Sequence, residues 1–69
     1  MMKYKIGDKM RLCLPGHVYE SYNGEIVYID SDRNIAEVFI PSNVAEVYQF
    51  DMSTGIDTKG AAHGIYQKY

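Results

Sequence analysis

The sequence contains one cysteine, two prolines and no tryptophan. Small secreted domains usually rely on several disulfides, and a single cysteine cannot form an internal bridge. No apolar run is long enough for a membrane-spanning helix, and the opening residues MMKYK lack the apolar segment of a secretory signal. These absences predict a cytoplasmic protein with no membrane partner.

Basic residues are also scarce. The chain has 7 lysines and arginines against 9 aspartates and glutamates, a net charge of −2. Residues 1–23 carry four basic and two acidic residues, whereas residues 24–58 carry one basic and seven acidic residues. Nucleic-acid binders normally concentrate Lys and Arg on one face, because counterion release drives most of their affinity. The charge balance therefore favours another kind of partner, and the segment 24–58 can present a local acidic face.

The residues that are present fit one ordinary globular domain over residues 1–69. The chain is 46% hydrophobic and 23% charged, and a domain of this size buries only about 60% of the surface that its unfolded chain exposes. Its apolar residues recur with a period of two, which predicts strands. The strand-like runs span residues 10–14, 25–29, 35–40, 44–50 and 64–69.

Turn residues separate these runs. Pro15-Gly16 and Asn23-Gly24 are predicted turns, Pro41 ends the third run, and residues 51–55 form the next turn. Two short pieces, residues 42–46 and 59–63, are at most single helical turns, because isolated helices under about a dozen residues are marginal in water. The pattern predicts a small five-stranded antiparallel barrel, all-β, because closure removes exposed strand edges.

Three runs carry a family resemblance. IGDKMRL at residues 6–12, GEIVYID at 24–30 and IAEV at 35–38 resemble the Gly-Asp-x-Val-x-Leu, Gly-x-Ile/Val-x-x-Ile, Val-x-Val pattern of Src-homology-3-like (SH3-like) and KOW-type barrels. YQFDMSTG at residues 48–55 is similar to the ending of many small phage-encoded barrels. The resemblance implies an SH3-like barrel, and the phage likeness implies an accessory factor that binds a host protein.

The acidic run DSDRN at residues 30–34 has the opening Asp-x-Asp-x-Asn spacing of a calcium-binding EF-hand loop. Ile35 stands where that loop needs Gly, and Pro41 stands where it needs a bidentate Glu. Strands rather than helices are predicted on both sides. The run therefore predicts a polar hairpin turn and no metal site.

No group of residues has the spacing of a catalytic site. Cys13 and His17 lie close together, but Cys13 falls in a strand run opposite in phase to Met10, which is typical of a small apolar filler. His63 lies in the run GAAHG, which lacks the Lys-Ser/Thr ending of a phosphate-binding loop and predicts a tight loop. We therefore expect a non-enzymatic protein without a cofactor.

Tyrosine is the unusual residue of this chain, because seven occur in 69 positions. Tyr19 and Tyr22 fall in the predicted long loop before Asn23-Gly24, where a core role is hard to arrange, and tyrosine is favoured at interfaces. The tryptophan that lines the binding groove of proline-rich-peptide binders is missing, so we do not expect recognition of a proline-rich peptide. The predicted partner-binding residues are loop positions with aromatic or charged tips: Tyr19, Tyr22, Asp30, Asp32 and Arg33.

These observations give one preferred hypothesis and two alternatives. The preferred one is a protein-binding module that inhibits a host enzyme or defence complex by occlusion. The first alternative is a KOW-like module that binds RNA or the ribosome, with phosphate contacts from Lys3, Lys5, Lys9 and Arg11 and with exposed tyrosines stacking on bases. The second alternative is a small structural homo-oligomer, because a barrel of this size gains stability by burying an edge strand.

The preferred hypothesis predicts that Tyr19→Ala or Tyr22→Ala weakens capture of a partner and leaves the fold intact, because the loop supplies contact area and not core. Affinity capture with each variant measures this. Unchanged capture by both variants would contradict the hypothesis.

Overall fold

The structure is a computed structural model that describes residues 3–16, 21–41 and 46–69. Within these residues it contains five strands and one short 3-10 turn, Ala61–His63. The strands are β1 Lys9–Cys13, β2 Ser21–Asp30, β3 Ile35–Ile40, β4 Glu46–Asp51 and β5 Ile65–Lys68. The predicted all-β class with five antiparallel strands is confirmed.

The strands form one curled antiparallel sheet in the order β4-β3-β2-β1-β5. Residues 55–58 lie between the two end strands and bond to both of them. The N–H of Asp51 in β4 donates to the carbonyl oxygen of Ile56 at 2.9 Å, and Ile56 pairs with Ile65 of β5. These contacts curl the sheet into a half-barrel and close it on one side.

A buried hydrogen bond fixes this closure. The Tyr66 hydroxyl donates to Oδ2 of Asp57 at 2.7 Å, and the N–H of Lys59 donates to Oδ1 of Asp57 at 2.9 Å. Tyr66 is 3% exposed and Asp57 is 5% exposed. Burial raises the pKa of the Tyr66 hydroxyl, and its bond to Asp57 raises that pKa further, so the hydroxyl stays a donor at neutral pH. The two donors offset the cost of burying a carboxylate.

Alternate strand residues fill the inside of the curl. Met10 and Leu12, two positions apart in the strand-like run of residues 10–14, are both buried there, which confirms the period-two pattern of that run. Phe50 lies at the centre of an aromatic cluster, edge-on to Tyr4 at 5.3 Å and stacked on Tyr66 at 4.9 Å between ring centroids. The buried apolar residues are Tyr4, Met10, Leu12, Ile26, Ala36, Val38, Ile40, Phe50 and Tyr66.

The turn predicted at Asn23-Gly24 is wrong. Both residues lie inside β2, where Asn23 pairs with Arg11 and Gly24 pairs with Met10, and neither has the positive φ that a two-residue hairpin turn needs. Position 24 requires glycine because there is no space for a side chain. A Cβ on Gly24 would lie 2.7 Å from the carbonyl oxygen of Phe39, so the missing side chain lets β3 pack closely against β2.

The prediction that Tyr22 lies in a loop is wrong for the same reason, because β2 begins at Ser21. Tyr22 pairs with Leu12 of β1, and directly paired residues point to the same face of a sheet. Since Leu12 is buried, the Tyr22 side chain lies on the core side, where it remains 38% exposed near the strand end. Tyr19, the other predicted loop tyrosine, lies outside the described residues.

The polar hairpin turn predicted at residues 30–34 is confirmed. It joins β2 to β3, and Asn34 has a φ of 58°, in the left-handed region that asparagine tolerates. The N–H of Arg33 donates to Oδ1 of Asp30 at 3.3 Å, and the Arg33 Nε lies 3.4 Å from Oδ2 of Asp30. The acidic run therefore contributes a side chain that orders its own turn.

Two further predictions have structural outcomes. The turn at residues 51–55 is present, with the N–H of Ser53 donating to Oδ1 of Asp51 at 2.7 Å, and the single turn predicted at residues 59–63 is confirmed by Ala61–His63. Residues 42–45, which begin the other weak helix signal, lie outside the described residues. In the part of the chain that the structure describes, no helix is long and apolar enough to cross a membrane.

A second buried carboxylate, that of Asp8, connects the segment before β1 to β5. Asp8 is 7% exposed, and its Oδ2 accepts the N–H of Lys5 at 2.9 Å and lies 3.2 Å from the Lys68 Nζ. Burial by itself raises the pKa of this carboxyl, but the Lys5 N–H and the Lys68 ammonium outweigh it, and the pKa of Asp8 lies below its ordinary value.

The lowered pKa predicts how stability depends on pH. Ionised Asp8 stabilises the fold above the unfolded-state pKa of about 3.9, and this contribution is lost as the pH falls through the lower folded-state pKa. We expect the urea midpoint of the wild type to fall more steeply than that of Asp8→Asn between about pH 5 and pH 2. Equal slopes for the two proteins would show that Asp8 is not part of the acid response.

The close approach at Gly24 predicts a large effect of one added methyl group. We expect Gly24→Ala to lower the free energy of unfolding by about 1–3 kcal/mol, because the Phe39 carbonyl must move away. Asn23→Ala, one residue earlier and exposed, is the matched control and should change stability by no more than about 0.5 kcal/mol. Urea unfolding measures both variants, and equal effects would contradict the steric explanation.

Candidate functional site

The sheet face that points away from the core carries large apolar side chains in water. Phe39 of β3 pairs with Val47 of β4, and these side chains are 36% and 52% exposed. On its other side Phe39 pairs with Glu25 of β2, and Glu25 pairs with Lys9 of β1. A row of four side chains therefore crosses four strands on this outer face, with its charges at one end and its apolar groups at the other.

A β-bulge in β2 adds to this face. Ile26 pairs with Val38, but the next pair is Tyr28 with Glu37, so Val27 is an extra residue. In a regular strand, residues 27 and 28 would point to opposite faces. The bulge instead places both opposite Glu37 on the outer face, where Val27 is 43% and Tyr28 is 52% exposed.

The four residues Val27, Tyr28, Phe39 and Val47 are called the outer-face patch below. Beside it lies a depression of about 360 Å³. Its lining residues are Lys9, Asn23, Gly24, Glu25, Val27, Phe39, Pro41 and Tyr69. Contiguous exposed apolar groups with a polar rim are typical of surfaces that bind other molecules, and an apolar centre with a polar rim is typical of protein interfaces.

The rim of the depression is held by contacts within the chain. Lys9 forms an ion pair with Glu25, and this hydrogen bond raises the pKa of Lys9. The Arg11 guanidinium lies 5.2 Å from the centroid of the Tyr69 ring, a cation–π contact that positions both side chains. Tyr69 is 59% exposed. The rim thus offers paired charges and one aromatic ring, and its charge is close to balanced.

The predicted site residues that the structure describes lie at two separate places. Asp30, Asp32 and Arg33 lie at the β2–β3 hairpin, whereas Tyr22 lies near the opposite end of β2. Asp30 lies eight positions after Tyr22 on this strand, which corresponds to about 26 Å at the usual rise of 3.3 Å per residue. Their role as a joint site stays a prediction, since Tyr19 lies outside the described residues.

Most of the basic residues that the RNA-binding alternative uses contact other side chains of this protein. Lys9 is paired with Glu25, Arg11 contacts Tyr69, and the Lys3 Nζ lies 5.6 Å from the centroid of the Tyr4 ring. Three of the four cations in that hypothesis therefore already have partners inside the chain. RNA binding stays a prediction.

The structure places two of the three residues that were considered for catalysis or phosphate binding. Cys13 is a half-buried free thiol at the end of β1, and His63 is exposed at the end of the 3-10 turn. His17 lies outside the described residues. Within residues 3–16, 21–41 and 46–69, no three His, Cys, Asp or Glu side chains are grouped so that they could hold a metal ion.

Sequence reasoning missed the outer-face patch, although one signal was visible. Val38-Phe39-Ile40 is an unbroken apolar run of three residues at the end of a predicted strand. Because Val38 and Ile40 face the core, Phe39 must face water. The positions of Val27 and Tyr28 had no such signal, since the bulge that exposes both depends on how β2 pairs with β3.

Comparisons of the chain with protein-family models, with curated proteins and with solved structures find no match. The class of protein is therefore defined by the structure alone. It is a small all-β half-barrel whose outer sheet face exposes an apolar patch.

Proposed function

We propose that this chain is an SH3-like barrel that works as a non-enzymatic protein-binding module, and that the outer-face patch is its contact surface. The observation that carries the proposal is the patch itself: four exposed apolar side chains on three neighbouring strands, with two consecutive residues of β2 on the same face because of a bulge. Bulges are frequent next to functional sites because they redirect side chains. The order of the five strands and the sequence resemblance support the barrel family.

The chemistry of the rim supports a protein as the partner. A nucleic-acid surface needs free cations, but Lys9 and Arg11 are engaged by Glu25 and Tyr69. Aromatic and apolar residues at the centre, with arginine and paired charges around them, match the composition of protein interfaces. Binding by such a surface would block the partner through steric occlusion. A host enzyme or defence complex is the partner that the phage resemblance implies.

Substitution of the patch tests the proposal. We expect Phe39→Ala to weaken partner binding by about 2 kcal/mol, which is roughly 30-fold, because central aromatic residues dominate interface energies. The measurement is affinity capture from cells of the source organism, followed by mass spectrometry and then by titration of the captured protein. Ile65→Ala is the matched control, because Ile65 is 36% exposed like Phe39 and lies on β5, which is separated by β1 from the three strands that carry the patch.

A second comparison separates this surface from the one predicted from sequence. Tyr22 lies on the core side of β2, so Tyr22→Ala should leave capture unchanged if the outer-face patch is the contact surface. The proposal is wrong if Phe39→Ala and Ile65→Ala bind the partner equally well while both remain folded. Loss of binding in Tyr22→Ala alone would move the site to the other face.

A further inference from the structure

The free part of the β4 edge is a second surface with distinct chemistry. At one end of β4, residues 55–58 cover the edge: the N–H of Thr58 donates to the Gln49 carbonyl at 3.1 Å, and the N–H of Asp51 donates to the Ile56 carbonyl at 2.9 Å. The chain then leaves the edge. The N–H of Gly60 donates to the Asp57 carbonyl at 2.8 Å, which closes a turn, and Gly60 has a φ of 115° that favours glycine.

The turn ends this cover before it reaches Val47, which is 52% exposed. In an antiparallel strand both backbone groups of one residue point to the same side, and the side alternates along the strand. Gln49 and Asp51 use their groups toward residues 55–58, so those of Val47 point the same way. Within the described residues, no main-chain group bonds to Val47 on this side. A two-bond docking position for another strand therefore remains.

A cavity of about 280 Å³ lies at this position, and it is acidic. Its lining residues are Glu37, Glu46, Val47, Tyr48, Gln49, Asp57, Thr58 and Lys59. Three carboxylates and one ammonium give a local charge of −2. Glu46 is exposed, and its interaction with the Tyr48 hydroxyl, followed by partial burial, raises the pKa of Tyr48. The charge of the cavity is complementary to a basic ligand.

We propose that the β4 edge binds an extended segment of a partner protein in which basic side chains alternate with apolar ones. The segment adds to the sheet as a sixth strand, antiparallel to β4. It lies along the part of the β4 edge beyond Gly60, which residues 55–58 do not cover. An apolar side chain opposite Val47 lies on the outer face, because paired residues share a face. The flanking basic side chains then lie on the same side as Glu46. This inference stands on a different observation from the outer-face proposal, the uncovered backbone of β4, although both surfaces include Val47.

The geometry determines which backbone nitrogens of the bound peptide form hydrogen bonds with β4. Since both backbone groups of Val47 point to the edge, the residue opposite Val47 forms a hydrogen-bonded pair with it, and that residue is apolar. A fluorescein-labelled heptapeptide of alternating Lys and Val is the probe, and fluorescence anisotropy at 0.15 M salt is the measurement. N-methylation of the valines should weaken binding by about tenfold, whereas N-methylation of the lysines should have little effect.

Two protein variants with the same charge change test the electrostatic part. Glu46→Gln removes one negative charge from the cavity, and Ser31→Lys adds one positive charge on the distant hairpin turn. We expect about fivefold weaker peptide binding for Glu46→Gln and little change for Ser31→Lys. Circular dichroism confirms that both fold. Phe39→Ala should still bind the peptide, which separates this inference from failure of the outer-face proposal.

Three results would overturn the inference. Equal binding of a peptide of alternating Glu and Val would exclude recognition by charge. Equal effects of valine and lysine N-methylation would exclude strand addition at Val47. Analytical ultracentrifugation measures whether the protein self-associates. Peptide binding that weakens as self-association increases would assign the edge to a second copy of this chain.

Discussion

The fold depends on the closure at residues 55–58, because the backbone of this segment bonds to both end strands of the sheet and Asp57 adds a buried side-chain bond to β5. Asp57 lies in the segment that bonds to β4, and its carboxylate accepts the Tyr66 hydroxyl from β5. Tyr66 in turn stacks on Phe50, which packs against Tyr4. A sheet of five short strands has little interior of its own, so closing it around this aromatic cluster creates the core. The Tyr66 hydroxyl and the Asp57 carboxylate are buried beside an apolar cluster, so each must be hydrogen-bonded. Only a closure that brings these two groups together meets this condition.

The same closure explains why two surfaces remain available. Curling turns one face of every strand inward, and the other face stays in water with whatever side chains the sequence places there. Covering only part of the β4 edge leaves the rest of that strand with unused backbone groups. The outer-face patch and the acidic cavity meet at Val47, which contributes its side chain to the patch and lines the cavity. One partner with a folded surface and an adjoining extended segment would be able to use both.

Much of the fold could be predicted from the sequence, and the failures have definite causes. Period two placed Met10 and Leu12 in the core, because burial on one face imposes alternation on a strand. The β-branched and aromatic composition of residues 35–40, ended by Pro41, identified β3 correctly. Asn23-Gly24 misled the prediction, since glycine supplies both positive φ and close approach, and only the neighbouring strand decides which is needed. The residue that does take a positive φ at the β2–β3 turn is Asn34. The site was harder to predict, because the exposure of Val27 and Tyr28 depends on a register shift between two strands.

The pairing of β1 with β5 has a consequence for the time course of folding. Residues 10–13 bond to residues 65–68, so a strand made early in synthesis must wait for the last strand of the sheet before its second edge is covered. Until then, β1 presents Met10 and Leu12 without Tyr66 and the rest of the aromatic cluster. Pairings between residues far apart in sequence are slow to form and leave apolar surface exposed meanwhile. For a domain this small, the interval before β5 docks is the period in which a nascent chain is most exposed to aggregation and to proteases.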